Sequence, residues 1–485
     1  MRRLKAVAPP QDRAQVFASN PYYIQYRGRP IFLVGCNQGW TASLQNLDHD
    51  YRAEFDRLAE VGGNLVRITP FICPKVDAAE RFDDRANNLP WRREGRRYRL
   101  DLARGGGNPR FWDRLAELVR YAYEPDVLIS FEYLDLYGPA RGPGGNLDFK
   151  TPPGDRWSAH PFFPGNSPDL IGEEQLPAAT HMKDIAFCRP VTRGGYDAAL
   201  RLQRQYVRRL LDTLSPYPNV IYCMVNETSA EKSWSDYWLT YTHQYFRDVW
   251  DGAPHLAGEM PREFSFTENF TVEAMIADPR YDFADASQYY TGSGLVEMRK
   301  VKDNLVRFRA YCEAAGYVKP LTCMKVYNRL AAEVLWMRLL AGSASARFHR
   351  VLNSNYQPTE DLADLARRQL GFVGCLASFL QETGFSPWEM RPDHDVVLAT
   401  QQVDEVLAMS APDRRACAVL AFSESRHPDR QITLALPVHP TRAFWLDPAT
   451  GTRTAAVSVC GDDVGQVTWR LPMAFEQAVL YCVVE

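Results

Sequence analysis

The most informative chemical signal in the sequence is a Glu that directly follows an apolar run. Residues 220–225 are Val, Ile, Tyr, Cys, Met and Val, and Asn226 and Glu227 come next. Partial burial at the mouth of a strand raises the pKa of a carboxyl group, as a general acid requires. The amide of Asn226 offers a donor and an acceptor to a substrate hydroxyl. Glu227 is therefore the first candidate for proton transfer. The alternative interpretation is a Glu at a helix N-terminus beside a solvent-facing Asn.

Three more carboxylates lie at or near the ends of predicted strands, and any of them could serve as a second acid–base group. They are Glu132, Glu259 and Asp285. The alternative interpretation for each is a structural ion pair with Arg67 or Lys325. If Lys325 lies near Glu132, its charge lowers the pKa of that carboxyl and keeps it ionised beside a protonated Glu227. The order of preference for the second carboxylate is Glu132, then Glu259.

Side chains suited to substrate binding rather than to proton transfer also lie near predicted strand ends. These candidates are Asn37, Trp40, Arg67, Asn226, Tyr289, Lys325 and His349. Aromatic faces pack against the apolar surfaces of ligands, and polar groups fix the orientation of a ligand. The aromatic residues could instead pack in the core or at its rim, and His349 could instead be structural.

The sequence gives no support for a metal ion or an organic cofactor. Its nine His are isolated, no H-E-x-x-H pattern occurs, and none of the ten Cys forms a C-x-x-C pair. Several Cys lie inside apolar runs, which favours reduced core thiols over zinc ligands or disulfides. We therefore expect no metal and no cofactor.

Eight short apolar strands separated by helices predict the scaffold that positions these residues. The predicted strands span 31–36, 64–68, 127–132, 219–225, 255–259, 283–288, 320–324 and 343–349. This alternation favours an α/β fold, with a parallel (β/α)8 TIM barrel over residues 1–388 that begins with a β-hairpin. The runner-up is an open doubly wound sheet. It would need a Gly-rich phosphate turn after the first strand, and residues 37–40 do not form one.

Helices and two long loops complete the predicted barrel. The helices span 48–61, 110–123, 196–214, 234–250, 295–315, 329–340 and 359–380, and Asp48 is the expected cap of the first. The connections 69–109 and 134–195 are long and leave the C-terminal ends of strands. Long loops at that end of a barrel are usually functional, so we expect them to wall the site.

The residue pattern changes after residue 388. Over residues 389–485, short strands with turn residues between them replace the alternation of strands and helices. This pattern predicts a small all-β sandwich. Because its strands show no aromatic platform apart from core alternation, we expect a structural module that packs on the barrel.

Composition limits the partners and the location of the protein. The 485 residues carry a formal net charge of −3, which implies no broad basic surface for nucleic acid. No apolar run reaches the ~18–20 residues that span a bilayer, so no membrane partner is expected. Residues 1–10 lack the apolar core of a signal peptide. The expected location is cytoplasmic, a secreted mature form remains open, and the oligomeric state is left undetermined.

Four motifs together resemble a known family. They are residues 37–40 after the first strand, 63–67 on the second, Asn226-Glu227 on the fourth, and the Trp-Leu-Asp-Pro-Ala-Thr-Gly run at 445–451. This set resembles the clan A glycoside hydrolases, in particular cellulase-like and apiosidase-like barrels with a small collagen-binding-like β-domain. The resemblance covers nearly the whole chain. It implies a glycosidase that degrades an oligo- or polysaccharide, with Glu227 as acid/base and with Arg67 and Asn226 in support.

One position departs from the family pattern. The family's nucleophile is a Glu five residues after a Pro on the seventh strand, and the matching position after Pro320 is Lys325. A Lys cannot act as the carboxylate nucleophile of a retaining glycosidase. Three explanations remain: a second carboxylate elsewhere, an inverting mechanism, or a catalytically silent glycan-binding protein. A further alternative is a lyase on uronic-acid polymers with Lys325 near the abstracted proton. Lys325 could also bind a substrate carboxylate.

Overall fold

The computed structural model of the chain describes residues 5–36, 39–70, 72, 85, 87–135, 157–172, 175–178, 185–226, 231–261, 270–289, 294–326, 331–349, 360–460 and 465–484. The helices are α1 (Ala42–Gln45), α2 (Tyr51–Glu60), α3 (Pro109–Tyr123), α4 (Arg189–Thr192), α5 (Asp197–Leu214), α6 (Lys232–Trp250), α7 (Val272–Ile276), α8 (Gly294–Ala315), α9 (Glu333–Leu340) and α10 (Glu360–Thr383). The first strands are β1 (Gln15–Val16), β2 (Ile24–Tyr26), β3 (Arg29–Ile31), β4 (Leu33–Gly35), β5 (Leu65–Ile68), β6 (Arg92–Glu94), β7 (Arg97–Arg99), β8 (Leu128–Asp135), β9 (Val220–Asn226), β10 (Leu256–Glu259), β11 (Phe283–Asp285), β12 (Leu321–Thr322) and β13 (Ser345–Arg347). The remaining strands are β14 (Arg391–Pro392), β15 (Val397–Gln401), β16 (Glu405–Ser410), β17 (Ala416–Phe422), β18 (Gln431–Ala435), β19 (Arg442–Leu446), β20 (Arg453–Ala455), β21 (Ser458–Cys460), β22 (Gln466–Arg470) and β23 (Ala478–Val483).

Eight parallel strands follow one another in chain order at the centre of the N-terminal region. Six of them make one sheet in the order β5-β8-β9-β10-β11-β12, and β13 pairs with β4. Backbone hydrogen bonds join the two sets, because the amide of Asn64 donates to Val34 O at 2.9 Å and that of Ala344 donates to Leu321 O at 2.8 Å. This is the strand order that a (β/α)8 barrel requires. The predicted α/β class with a parallel sheet is confirmed, and β1–β3 form a small antiparallel sheet where the sequence predicted a hairpin.

The seventh parallel strand, β12, ends two residues earlier than the sequence predicted. Just past its end, two successive backbone amides donate to side chains rather than to backbone oxygens of a neighbouring strand. The amide of Met324 donates to Asp285 Oδ2, and that of Lys325 donates to Ser287 Oγ, both at 2.8 Å. Polar side chains on the sixth element thus replace sheet pairing at the point where the chain presents Lys325.

Helix α2 begins at Tyr51, so the predicted cap at Asp48 is wrong. Asp50 is the cap, and its carboxylate accepts hydrogen bonds from the amides of Arg52 and Ala53, each at 3.1 Å. Asp48 forms an ion pair with Arg85 instead. Among the residues that the structure describes, no helix combines the length and the apolar character needed to cross a membrane.

Two antiparallel sheets make up the C-terminal region. One has the order β14-β16-β17-β23-β19-β20, and the other has the order β15-β18-β22-β21. Side chains from both sheets form one apolar core, which includes Val419, Ile432, Trp445 and Leu480. Two antiparallel sheets packed face to face are the arrangement of a β-sandwich. The domain boundary after residue 388 stays a prediction, and the first strand of this region begins at Arg391.

The central strands β16, β17 and β23 of the six-stranded sheet are buried on both faces. Along β17, Val419 and Ala421 belong to the sandwich core, whereas Leu420 belongs to the large core around the parallel strands. This division follows from the strand, in which successive side chains point to opposite faces. Tyr481 on β23 continues the second face, since its ring centroid lies 5.4 Å from that of Phe379 on α10. The C-terminal sheet therefore completes the core of the N-terminal region.

We predict that Leu420→Ala lowers the free energy of unfolding by about 2–5 kcal/mol, because it removes buried methyl groups from this joined core. Leu398→Ala makes the same chemical change at a side chain that is 49% exposed. This control should stay within about 0.5 kcal/mol of the parent. Urea unfolding followed by tryptophan fluorescence compares the two. Truncation after residue 390 should likewise give insoluble protein. A soluble truncated chain, or equal unfolding midpoints for the two variants, would contradict the packing.

Candidate active site

A buried ion pair between the second and third parallel strands forms the centre of the site. Arg67 on β5 donates from Nε to Glu132 Oε1 at 2.7 Å and from Nη2 to Glu132 Oε2 at 2.6 Å. The hydroxyl of Thr69 also donates to Oε2, and both side chains of the pair are 0% exposed. A two-pronged contact between Arg and a carboxylate fixes the planes of both groups. Arg67 and Glu132 therefore hold each other in one geometry.

Asn226, the last residue of β9, receives two cationic donors on one oxygen. Arg67 Nη2 lies 2.5 Å from Asn226 Oδ1, and Lys325 Nζ lies 3.0 Å from the same oxygen. Because both cations can only donate, the carbonyl oxygen of the amide must face them, and its NH2 group faces elsewhere. The sequence hypothesis placed Lys325 beside Glu132. In the structure, Glu132 forms its ion pair with Arg67, and the ammonium of Lys325 donates to Asn226.

Trp40 packs against the ion pair and fixes its position. The indole N–H donates to Thr69 Oγ1 at 2.8 Å, and the ring faces the Arg67 guanidinium at 5.3 Å. The ring of His349 meets that of Trp40 edge-on at a centroid distance of 6.0 Å. Trp40 adopts a φ of 41°, which strains a residue with a side chain, and it is only 4% exposed. Trp40 is thus a positioning residue that offers little ring surface to a ligand.

Glu259, the last residue of β10, is a second buried carboxyl group in a different environment. Its oxygens accept hydrogen bonds from the amide of Met260 at 2.8 Å and from the hydroxyl of Ser235 at 2.9 Å. The thiol of Cys223 lies 3.5 Å from Oε1. Burial raises the pKa of Glu259 to about 8, and the negative charge of Glu132 adds to the rise. Glu259 is therefore mainly protonated and neutral at pH 7.

Asp285 anchors the segment that carries Lys325. Besides the amide of Met324, its carboxylate accepts the hydroxyl of Thr322 and the amide of Ser287, both at 2.9 Å. Burial raises the pKa of Asp285. These bonds fix the backbone just before Lys325, so they also fix where its ammonium can reach.

Most of the predicted site residues that the structure describes lie in one connected cluster. Its members are Trp40, Arg67, Glu132, Asn226, Lys325 and His349. Glu259 interacts with this cluster through the charge of Glu132. Asn37 and Glu227 lie outside the described residues, and so does the side chain of Tyr289. The roles of these three stay predictions.

Two side chains at the site were not nominated from the sequence. Thr69 lies two residues after Arg67, and this spacing puts both on the same face of an extended chain. Arg347, the last residue of β13, donates from Nη1 to Met324 O at 2.6 Å. Burial and then the charge of Arg67 lower the pKa of Arg347. The sequence feature that could have identified Arg347 is its position within an apolar strand, two residues before His349.

Three basic side chains, Arg67, Lys325 and Arg347, and three carboxyl groups, Glu132, Glu259 and Asp285, lie along the strand ends of the site. Within the described residues, no group of three His, Cys or carboxylate ligands lies here to hold a metal ion.

Comparison with known proteins shows which fold the chain shares. No protein-family model and no curated protein sequence matches the chain. A solved structure described as a glycoside hydrolase is 14% identical, covers 99% of this chain and 99% of its own, and has a TM-score of 0.62. A glycoside hydrolase of family 5 from Bacteroides vulgatus ATCC 8482 is 13% identical, covers 98% of this chain and 95% of its own, and has a TM-score of 0.61. At these identities, the similarity shows a shared fold and leaves the activity open.

We predict that Arg67→Met destabilises the protein by about 3–5 kcal/mol, because it leaves the charge of Glu132 buried without its partner. Arg52→Met is the matched control, since Arg52 forms an ion pair with Glu117 in which the two side chains are 49% and 42% exposed. Exposed pairs contribute at most about 1 kcal/mol. Urea unfolding measures both variants. The double variant Arg67→Met/Glu132→Leu should recover part of the loss. A loss for Arg67→Met no larger than that for Arg52→Met would refute the buried pair.

The pKa of Glu259 predicts a pH-dependent stability. Between the ordinary pKa of 4.5 and the folded value of about 8, the unfolded chain releases a proton that the folded chain keeps. The free energy of unfolding therefore falls with rising pH over this window, by at most about 1.4 kcal/mol per pH unit from this group. Glu259→Gln removes this loss, so its stability relative to the parent should improve from pH 5 to pH 8. Unfolding midpoints in urea at each pH test this. For the exposed control Glu60→Gln, the plot of unfolding midpoint against pH should run parallel to that of the parent. A parallel plot for Glu259→Gln as well would contradict the raised pKa of Glu259.

Proposed function

We propose that this protein is a glycoside hydrolase that cleaves O-glycosidic bonds of an oligo- or polysaccharide. The observation that carries the proposal is the orientation of Asn226 at the end of β9. Two buried cations, Arg67 and Lys325, fix its amide directly before Glu227. A fixed amide beside a carboxyl group suits recognition of a sugar hydroxyl next to the bond that breaks. The shared fold supports this proposal, because active sites of such barrels lie at the C-terminal ends of the strands.

In this proposal, Glu227 is the general acid and base. It follows the last residue of a strand whose residues are all buried, so its backbone starts from a rigid support. A Glu227 that is protonated near neutral pH can deliver a proton to the leaving glycosidic oxygen. In this proposal, the NH2 group of Asn226, which faces away from the two cations, contacts a hydroxyl on the same sugar.

The second carboxylate in this proposal is Glu132 rather than Glu259. Both oxygens of Glu132 accept hydrogen bonds from the guanidinium of Arg67, which is a permanent cation. Glu259 has neutral donors around it and keeps its proton at pH 7. Glycoside hydrolysis pairs a protonated general acid, here Glu227, with a second carboxylate. Glu132 would then act as the base or nucleophile, and the stereochemical outcome depends on its separation from Glu227.

A second candidate function is a catalytically silent glycan-binding protein. One observation favours it, because both oxygens of Glu132 already accept hydrogen bonds and its side chain is 0% exposed. A carboxylate held in this way attacks carbon poorly. Lys325 at the expected nucleophile position points in the same direction, and its charge suits a carboxylate on an acidic sugar. A lyase is less favoured, since an ammonium that donates to Asn226 is not a base.

We predict that Glu227→Gln lowers the hydrolysis rate of glycans with poor leaving groups by about 10²–10⁴, because the amide cannot deliver a proton. Substrates with activated leaving groups need less protonation and should lose less. Glu231→Gln makes the same change four residues away, where the side chain pairs with Arg193, and should retain the parent rate. NMR of the anomeric proton follows hydrolysis and its stereochemistry over a panel of oligosaccharides. Hydrolysis by Glu227→Gln at the parent rate would remove this residue from the mechanism.

The same panel separates the two candidate functions. Lys325→Met should fold normally and lose most activity or most glycan affinity, because Asn226 loses one of the two cations that orient it. If the parent protein binds an oligosaccharide without cleaving it, the glycan-binding function is correct. The relation of the C-terminal sheets to collagen-binding-like domains stays a prediction from the motif at 445–451.

A further inference from the structure

A second polar cluster lies at the opposite ends of the parallel strands. His255 comes directly before β10, and Asp282 comes directly before β11, whereas Glu259 and Asp285 end those two strands. His243 reaches the same place from α6. The ligand atoms of His243, His255 and Asp282 all lie within 4.8 Å of one another, and all three residues are partly exposed. This cluster is therefore separate from the candidate active site.

Backbone carbonyls determine which ring nitrogens carry hydrogen in this cluster. His243 Nε2 lies 2.7 Å from Arg280 O, and His255 Nδ1 lies 3.1 Å from Ala253 O. A carbonyl oxygen only accepts, so each of these nitrogens must donate. In neutral rings, the other two nitrogens, His243 Nδ1 and His255 Nε2, then carry lone pairs.

Those two lone-pair nitrogens face each other at 2.8 Å. Two acceptors at this distance repel each other unless a positive species lies between them. The candidates are a shared proton and a metal ion. A carboxylate oxygen of Asp282 lies within 4.8 Å of both nitrogens and offers a third ligand atom, which a metal ion uses and a proton between two rings does not need.

We propose that His243, His255 and Asp282 form a binding site for a divalent zinc ion. Two imidazoles and one carboxylate are a ligand set that zinc accepts, with water in the fourth position. In metal sites, the second ring nitrogen of each His usually donates to a carbonyl or a carboxylate, as Arg280 O and Ala253 O provide here. Zinc–nitrogen bonds of about 2.0–2.1 Å in tetrahedral geometry need a nitrogen separation of about 3.3 Å. The two rings must therefore move apart by about half an ångström.

The surroundings hold the ligands in place. The ring of His255 stacks on Phe246 with centroids 4.0 Å apart and an interplanar angle of 6°. The amide of Ala257 donates to Asp282 Oδ2 at 2.9 Å, which fixes the carboxylate. The site would join α6 to the starts of β10 and β11. It is a structural clamp at the end of the sheet opposite the candidate active site.

Three cations act on this site and limit its affinity. Arg13 and Arg247 act on His255 through their charges, and Lys319 acts on Asp282. The ammonium of Lys319 donates to three backbone carbonyls, of Met275, Asp278 and Tyr281, at 2.7–3.0 Å. Those carbonyls offset part of its charge.

Metal content and optical spectra test the site. The full chain is stripped with EDTA, incubated with zinc chloride, dialysed, and analysed for bound zinc. We expect one tightly held equivalent in the parent and in the control His427→Ala, whose partly exposed side chain lies outside the cluster, and none in His243→Ala. Zinc should also raise the Tm of the parent and the control by a few degrees, and leave that of His243→Ala unchanged, because only a ligand-binding native state is stabilised. Cobalt(II) chloride should give the visible absorption of a tetrahedral site in the parent and no such absorption in His243→Ala.

A second variant keeps the test decisive if His243→Ala does not fold. Asp282→Asn preserves the shape of the side chain and should weaken zinc binding at least about tenfold. The proposal is overturned if the parent retains no more zinc than a folded variant of a ligand residue, or if their cobalt spectra are equal. A shared proton between the two rings is then the correct interpretation. Neither readout uses glycan hydrolysis, so this result does not depend on the proposed function.

Discussion

Two opposite charges buried side by side govern the C-terminal ends of the parallel strands. The side chains of Arg67 and Glu132 have no exposure, and either charge alone would be costly at that depth. The pair is possible because β5 and β8 are neighbours, with Arg67 opposite Ser130, two residues before Glu132. The pair leaves one Arg67 nitrogen shared with Asn226, and Trp40 packs on the guanidinium. The orientation of the site therefore depends on this one interaction.

The same interaction explains why two buried carboxyl groups behave differently. Glu132 has a permanent cation as its partner, whereas the donors to Glu259 within the described part of the chain are the neutral Met260 N–H, Ser235 and Cys223. Burial without a cation raises the pKa of Glu259, and the ionised Glu132 raises it further. One residue type thus occurs in two electrostatic environments, beside a permanent cation at Glu132 and beside neutral donors at Glu259.

The two ends of the parallel strands carry different polar clusters. At the C-terminal ends, polar side chains replace sheet pairing, as Asp285 and Ser287 do for the amides before and at Lys325. At the N-terminal ends, His255 and Asp282 meet His243 in a compact cluster. The C-terminal sheet covers a further side of the same core. Because the central strands of that sheet are buried on both faces, side chains of both regions pack in one core.

The sequence by itself determined the order of the eight parallel strands and of the long helices between them, since apolar periodicity is a local property of the chain. It also placed Arg67, Glu132, Asn226 and Lys325 at strand ends, and parallel strands bring such ends together. It did not predict short elements such as α7 or the β6–β7 hairpin. Only the tertiary structure decided the partners: Arg67 rather than Lys325 holds Glu132. The protonation of Glu259 and the facing rings of His243 and His255 were also invisible, because pKa values and tautomers depend on burial and on distant backbone groups. The helix cap is a smaller example. Asp48 and Asp50 both precede helix α2, and the sequence does not show that Asp50 caps it, because this depends on the geometry of the helix start.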